Sequence, residues 1–325
     1  MTKILCHVFL AAACVLMVPV VAGVMIVPGD GSGNTDAAGD AQFQKAFGNL
    51  DMIGTGGAVY IGNRFALRTR HAGSSGTDPL FGEQVIKNRR LHEVGDSGSL
   101  TDIVLMELGN DPGLPAMPIA ENSPLEGTPV RLIGFGANRE SNITYWNVAG
   151  DYPDFSSPDV TWIWTETPVK RQAEHSGYMP LATSGSVRFG DLRWGTNVVE
   201  ALENGVTFDY DMGPNNGMIR AFATDFDNSG GTAQEAQAVG HDSGGAVVAL
   251  DPLSGRWELI GLVHAASAYP NQPDAPFSAV FGNRTIASDL SVYRDQILPL
   301  IPEPACSAGL LAGVLLLRRR ARHAP

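Results

Sequence analysis

Cysteine is almost absent from this sequence, with three residues among 325. Cys6 and Cys14 lie in an N-terminal apolar run and Cys306 lies near the C-terminus, so residues 23–301 contain none. This excludes a small scaffold held together by disulfides for that stretch. A body of this length must be stabilised by its hydrophobic core, and it is long enough to bury one.

Positive charge is also scarce. Lys and Arg together number 22 against 34 Asp and Glu, which gives a formal net charge of −12 at pH 7. A surface of this sign repels phosphate groups, so we expect no nucleic-acid partner. The excess of acidic groups favours solubility but does not select a substrate.

Long hydrophobic runs are confined to the two ends. Residues 4–21 follow Lys3 and lead into the small-residue sequence VVA at 20–22. A basic start, an apolar stretch and a small-residue site are typical of a secretory signal peptide, here residues 1–22. An uncleaved membrane anchor is the alternative, because the run is nearly long enough to span a bilayer.

The C-terminal segment, residues 302–325, has three features in order. Residues 302–304 read PEP, residues 305–317 are apolar, and arginines follow at 318–320 and 322. The apolar run is shorter than the about 20 residues of a spanning helix, and the arginines favour the cytoplasmic side. The segment resembles the PEP-CTERM sorting tail of certain Gram-negative-type bacteria. That resemblance implies transient membrane association, processing by an exosortase-type sorting peptidase, and an extracellular or cell-surface location. A poorly spanning C-terminal anchor is the alternative.

Short β-type runs separated by turns fill the body, residues 23–301. Apolar, β-branched and aromatic residues predict strands at 57–61, 65–69, 103–108, 130–135, 219–226, 246–250 and 257–265. Residues 138–218 are rich in Trp, Pro, Gly and Asn and give only weak signals. Residues 288–300 have apolar side chains at helical spacing after the candidate N-cap Ser288. Many short strands and one terminal helix are typical of paired β-barrels.

Three motifs offer the parts for acyl transfer to a serine, which requires a hydroxyl, a base and a carboxylate that orients the base. Ser243 lies in GHDSGG at 240–245, just before an apolar strand. His71 lies in TRHAG at 69–73, and Asp102 lies in TDIVLMEL at 101–108. Each motif alone has an ordinary structural interpretation: a turn, a histidine at a strand end, and an aspartate that opens a strand. Together, in the order His71, Asp102, Ser243, they favour a catalytic site.

This order resembles the trypsin/chymotrypsin-like serine proteases, whereas an α/β-hydrolase elbow would need glycine at 241. The resemblance implies an all-β protein with two six-stranded antiparallel β-barrels and a C-terminal helix. It implies Ser243 as nucleophile, His71 as general base and acid, and Asp102 as the group that orients His71. It also implies a protein or peptide substrate, with no cofactor and no metal.

The same resemblance places the oxyanion hole at the backbone N–H groups of His241 and Ser243. The family has glycine at the first of these positions, and a residue with a Cβ pays to adopt positive φ. The specificity pocket maps to Gln237 and His264, and the uncharged Gln237 argues against a preference for Lys or Arg. Asp242 aligns with an aspartate that, in trypsin, pairs with a new N-terminus, but no IVGG sequence is found here.

The sequence therefore predicts a secreted or surface-sorted serine endopeptidase that works through a His/Asp/Ser triad and an acyl-enzyme intermediate. His241 favours the competing hypothesis, a catalytically weak or inactive protease-fold protein that binds its partners at the cell surface.

Overall fold

The computed structural model of the protein describes residues 24–301, except residues 28, 38, 74–77, 151–161, 169, 184–185, 188–189 and 204. The predicted signal peptide, 1–22, and the predicted sorting segment, 302–325, lie outside the described residues. Within the described ranges, no helix is both long enough and apolar enough to cross a bilayer.

The described chain consists mainly of short antiparallel strands. The first ten are β1 Met25–Ile26, β2 Leu50–Ile53, β3 Gly56–Gly62, β4 Phe65–Thr69, β5 Val85–Glu93, β6 Asp96–Leu108, β7 Pro129–Gly134, β8 Thr144–Ala149, β9 Ile163–Glu166 and β10 His175–Tyr178. The next ten are β11 Ala182–Thr183, β12 Ser186–Val187, β13 Arg193–Val198, β14 Phe208–Asp211, β15 Met218–Asp225, β16 Ala236–Gln237, β17 Ala246–Leu250, β18 Trp257–Ala266, β19 Ala279–Val280 and β20 Arg284–Ser288. Two α-helices, α1 Ala41–Phe47 and α2 Arg294–Ile297, accompany 3₁₀ turns at Lys170–Gln172, Leu290–Tyr293 and Leu298–Leu300. The predicted all-β class is confirmed.

A five-stranded sheet in the order β2-β3-β4-β6-β5 forms the first half. All seven residues of β3 are buried, which explains why its sequence is apolar or glycine throughout. Thr69 at the end of β4 is paired with Ile103 in β6. The residues just beyond this pair, His71 and Asp102, are therefore brought to the same edge of the sheet.

A seven-stranded sheet in the order β13-β7-β17-β18-β20-β15-β14 forms the second half. The resemblance predicted six strands in each half, and the structure has five and seven. β13 and β14, both from the region of weak signals, form the two edges of this sheet. Smaller sheets join β19-β10-β8-β9, β11-β12 and β1-β16.

One buried apolar cluster holds the two halves together. It contains Val59 of β3 and Val248 of β17, and also Phe43 of α1. Asp40 caps α1 by accepting hydrogen bonds from the N–H groups of residues 42 and 43. The guanidinium carbon of Arg131 lies 4.1, 4.8 and 4.4 Å from the centroids of three aromatic rings. Those rings belong to Phe43, Trp194 and Trp257.

The C-terminal segment is less helical than the spacing predicted. Ser288 ends β20 instead of capping a helix, because its Oγ accepts a hydrogen bond from the N–H of Leu262 at 3.2 Å. Asp289 is the N-cap, with its carboxylate accepting from the N–H of Ser291. The segment then alternates between 3₁₀ and α geometry, and Pro299 lies at the start of its last turn.

Candidate active site

Ser243 lies in a tight turn that leads into β17. The N–H of Asp242 donates to the carbonyl of Val239 at 3.0 Å, and the N–H of Gly245 donates to the carbonyl of Asp242 at 2.8 Å. Gly244 has φ +80°, and a Cβ there would lie 2.0 Å from the carbonyl oxygen of Gly57 in β3. Only glycine fits at 244, and this close approach holds the Ser243 turn against the first sheet.

The first sheet positions His71 and Asp102. The N–H of Arg70 donates to the carbonyl of Asp102 at 2.7 Å, which ties the end of β4 to β6. The backbone N–H of His71 donates to Asp102 Oδ1 at 3.0 Å. The Asp102 side chain is fully buried, whereas a quarter of the His71 side chain is exposed. The base therefore faces solvent while the carboxylate lies behind it.

The three side chains form a continuous series of contacts across the two sheets. His71 Nδ1 lies 2.6 Å from Asp102 Oδ2. His71 Nε2 lies 2.7 Å from Ser243 Oγ. Both are hydrogen-bond distances, so the hydroxyl is within reach of a base whose other nitrogen is held by a carboxylate.

The environment of Asp102 keeps its carboxylate ionised. Burial raises the pKa of Asp102, but hydrogen bonds from His264 and His71 lower it by more, so the pKa lies well below its usual range. An ionised carboxylate at this position fixes His71 with its proton on Nδ1, which leaves Nε2 as the acceptor facing Ser243.

The resemblance mapped His264 to the wall of the specificity pocket, and that role stays a prediction. His264 lies in β18 and is 2 % exposed. Its Nδ1 lies 2.9 Å from Asp102 Oδ2, the oxygen that also contacts His71. Burial lowers the pKa of His264, although the hydrogen bond to Asp102 raises it in part. The ring is therefore neutral near pH 7 and faces Asp102 from behind.

The ligand atoms of His71, Asp102 and His264 lie within 4.8 Å of one another, which is the spacing of a possible metal site. The two nitrogen–oxygen distances, 2.6 and 2.9 Å, are those of hydrogen bonds. Ligands held about 2.0–2.1 Å from a tetrahedral zinc ion would lie farther apart than this. The Nδ1 atoms of both histidines are therefore already hydrogen-bonded to Asp102, and the arrangement suits proton transfer better than metal binding.

His241 adopts the positive φ that its place in the motif demands, at +78°. This conformation costs a residue with a Cβ about 1–2 kcal/mol. The ring of His241 stacks on Phe277, with centroids 5.5 Å apart and planes inclined by 21°. Burial lowers the pKa of the ring, and a hydrogen bond with the backbone of Thr55 partly opposes this. The ring of His241 is therefore packed against Phe277 while its backbone lies in the left-handed region.

Gln237 lies in β16 and is buried. Its Nε2 donates to the carbonyls of Ala238 at 2.9 Å and Arg284 at 3.1 Å. Its Oε1 is buried and has no hydrogen-bond partner among the described residues. A specificity role for Gln237 therefore stays a prediction.

Asp242 is entirely buried beside the nucleophile. Its Oδ1 accepts from the N–H of Gly136 at 2.6 Å, and its Oδ2 accepts from the N–H of Val239 at 2.8 Å. Burial raises its pKa to about 7, against the opposing effect of these two donors.

Sequence reasoning missed the contact between His264 and Asp102 and the stacking of Phe277 on His241. The signal for the first was present: His264 is the only strongly polar residue in the second half of β18, WELIGLVHAA. A buried histidine requires a hydrogen-bond partner. The partner itself lies 162 residues away in the chain, so only the fold identifies it.

Two antiparallel sheets meet at a site to which one contributes His71 and Asp102 and the other Ser243. The fold is chymotrypsin-like. No protein-family model matches the sequence, and no curated protein matches it. Among solved structures, mouse neuropsin, described as a serine protease expressed in the limbic system of the brain, is similar at 14% identity, with a TM-score of 0.41 over 76% of this chain and 89% of that chain. The NS6 protease of murine norovirus 1 is similar at 12% identity, with a TM-score of 0.39 over 75% of this chain and 90% of that chain.

Proposed function

We propose that the protein is a serine-type endopeptidase that hydrolyses peptide bonds through an acyl-enzyme intermediate. One observation carries this proposal: His71 contacts Asp102 at 2.6 Å through one ring nitrogen and Ser243 at 2.7 Å through the other. Hydrogen bonds that link a carboxylate, a histidine and a serine activate the serine hydroxyl, which is otherwise a weak nucleophile.

The reaction follows from the direction of these contacts. Ser243 Oγ attacks the peptide carbonyl while His71 Nε2 accepts the hydroxyl proton, and Asp102 stabilises the resulting imidazolium. The backbone N–H groups of His241 and Ser243 are the proposed donors to the oxyanion. When the C–N bond breaks, His71 protonates the leaving amine. A water molecule then releases the acyl group by the same steps in reverse order.

We place the substrate among proteins or peptides, with Gln237 near the base of the specificity pocket. The amide of Gln237 carries no charge and its Nε2 is already engaged with backbone carbonyls. We therefore infer a preference for an uncharged side chain rather than for Lys or Arg at the residue whose bond is cut. A library of peptide amides that differ only at that residue tests this inference.

We further propose that the enzyme acts outside the cytoplasm of a Gram-negative-type bacterium after removal of residues 1–22. In this proposal an exosortase-type peptidase processes residues 302–325, which hold the protein at the membrane until then. The sequence of the two ends supports this, together with the absence of cysteine from residues 23–301. Mass measurement of the intact secreted chain would identify both cleavage positions, and an unprocessed cytoplasmic chain would contradict the proposal.

Labelling with a fluorophosphonate probe tests the catalytic proposal directly. Ser243→Ala should abolish labelling because it removes the nucleophile. Asp102→Asn should slow labelling by about 10⁴-fold, because the wrong ring tautomer then faces Ser243. Ser123→Ala, at an exposed serine remote from the site, is the matched control and should label like the wild type.

His241 stands where the family has glycine, and this favours the alternative of a catalytically weak or inactive protease-fold binding protein. If the wild type remains unlabelled where a known serine protease labels, the enzyme proposal is wrong and the binding protein is favoured. If Ser243→Ala still labels, another residue is the nucleophile.

A further inference from the structure

We propose that His264 is a positioning residue of the catalytic site, one that donates its Nδ1–H to Asp102 and fixes the carboxylate against which His71 works. This inference rests on the proposed function, since it assigns a fourth member to the same site. Four kinds of observation support it: shared hydrogen bonding, an enforced tautomer, a strand irregularity and a backbone link to the nucleophile.

The carboxylate of Asp102 is held by three donors. Oδ1 accepts from the backbone N–H of His71 at 3.0 Å. Oδ2 lies 2.6 Å from Nδ1 of His71 and 2.9 Å from Nδ1 of His264. The contact from His264 comes from the opposite sheet, so it fixes the rotation of the carboxylate from a direction that the first sheet does not supply.

Burial selects one tautomer of His264. Its Nε2 is buried and has no hydrogen-bond partner in the described part of the chain. With the proton on Nδ1, the ring donates to a carboxylate, and only a neutral acceptor at Nε2 is left unpaired. With the proton on Nε2, a buried donor would be unpaired and a lone pair would face the carboxylate, which costs more.

A bulge aims the side chain of His264 at Asp102. In the pairing of β18 with β20, Val263 lies opposite Ala287 and Ala265 lies opposite Ile286, so His264 is the extra residue. Bulges of this kind redirect a side chain out of the regular alternation of a strand. The register irregularity thus coincides with the residue that contacts the catalytic carboxylate.

The backbone around His264 is also tied to the nucleophile. The N–H of Gly244 donates to the carbonyl of Val263 at 2.8 Å, and the N–H of Val263 donates to the carbonyl of Gly245 at 2.9 Å. The two residues that follow Ser243 and the residue before His264 are therefore held together. His264 connects this turn, from the second sheet, to Asp102 in the first.

The charged and titratable groups around Asp102 determine how loss of the His264 hydrogen bond should change the pH dependence of labelling. His71 and His264 touch it, and Arg68 of β4 and Arg90 of β5 act on it electrostatically. The hydrogen bond from His264 withdraws charge from Oδ2 and so weakens its attraction for a proton on His71. Removing that bond should strengthen the attraction, so labelling should require a higher pH.

Two substitutions separate the hydrogen bond from the ring. His264→Asn keeps a side-chain N–H close to the position of Nδ1, whereas His264→Leu has a similar volume and no donor. The rate of fluorophosphonate labelling is measured as a function of pH. For His264→Leu we expect the acid limb of this profile to move to higher pH by at least about half a pH unit. We also expect the rate on the high-pH plateau to fall about tenfold or more. For His264→Asn the acid limb should remain within about 0.2 of the wild-type position, and the plateau rate should recover most of the loss. Circular dichroism of each variant identifies any that do not fold.

Proton NMR in water tests the hydrogen bond without relying on activity. Ser243→Ala, which keeps the ring contacts, should show two strongly downfield imidazole N–H signals, one from His71 and one from His264. The double variants with His264→Leu and with His264→Asn should each lose one of them. A single downfield signal in Ser243→Ala, or His264→Leu with an unchanged pH profile and plateau, would overturn the proposal. A wild type that does not label refutes the endopeptidase instead, and the NMR signals then still decide whether His264 donates to Asp102.

Discussion

Replacing Asp242 with asparagine should remove a pH dependence of stability that the fold creates at that carboxyl. The group is entirely buried, and burial raises its pKa from 3.8 to about 7. Between these two values the folded protein retains a proton that the unfolded chain has lost. Its contribution to stability is therefore fully present below about pH 4 and is lost as the pH rises through about 7.

The size of this effect follows from the difference in pKa. About three pKa units at 1.36 kcal/mol each correspond to roughly 4 kcal/mol in total, of which about 2.5 kcal/mol falls between pH 5 and pH 8. Burial lowers the pKa values of His264, His241 and His175, which makes stability rise with pH over part of the same range. Those contributions are present in the wild type and in the variant, so they largely cancel in the difference between them.

Urea unfolding at pH 5, 6, 7 and 8 measures that difference. The free energy of unfolding of the wild type, minus that of Asp242→Asn, should fall by about 2.5 kcal/mol from pH 5 to pH 8. Asp78→Asn, at an exposed carboxyl, is the control and should show no such trend. A difference that stays flat, or that grows with pH, would refute the assignment of a protonated, buried carboxyl at 242.

Three further substitutions test the backbone and the packing around the site. Gly244→Ala would place a Cβ 2.0 Å from the carbonyl of Gly57, so we expect loss of probe labelling and a clearly lower melting temperature. His241→Gly removes the cost of φ +78° and should keep labelling at or above the wild-type rate, whereas a large loss would mean that the imidazole itself is needed. Arg131→Met removes a guanidinium from between three rings and should lower the free energy of unfolding by about 1–3 kcal/mol in urea, with labelling at pH 8 unchanged.

The strands that surround the catalytic motifs could be predicted because their apolar runs are bounded by clear turns. Residues 65–69 and 246–250 coincide with β4 and β17, and residues 57–61 lie within β3. Burial on both faces produces the uninterrupted apolar sequence that makes such strands recognisable. The three motif residues then come together because β4 pairs with β6 and the Ser243 turn packs on β3.

Residues 138–218 could not be predicted, because β8 to β14 are only two to six residues long and several are half exposed. Runs this short carry little periodicity, and their pairing is decided by distant partners, as when β10 pairs with β19. The C-terminal helix is shorter than its apolar spacing predicts, for a related reason. Its apolar spacing is real, but Ser288 belongs to the sheet and Pro299 interrupts the last turn.

The short ladder between β1 and β16 has a consequence for how the chain folds. Met25 is paired with Gln237, about 210 residues later, and Val24, Met25 and Ile26 are all buried. Contacts between residues so far apart in the chain are costly to form early, and proteins rich in them fold slowly. Because the chain is synthesised from its N-terminus, β1 cannot pair until β16, in the segment that leads to Ser243, has been made. We therefore expect the nucleophile turn and the start of the domain to become ordered together, in a late step.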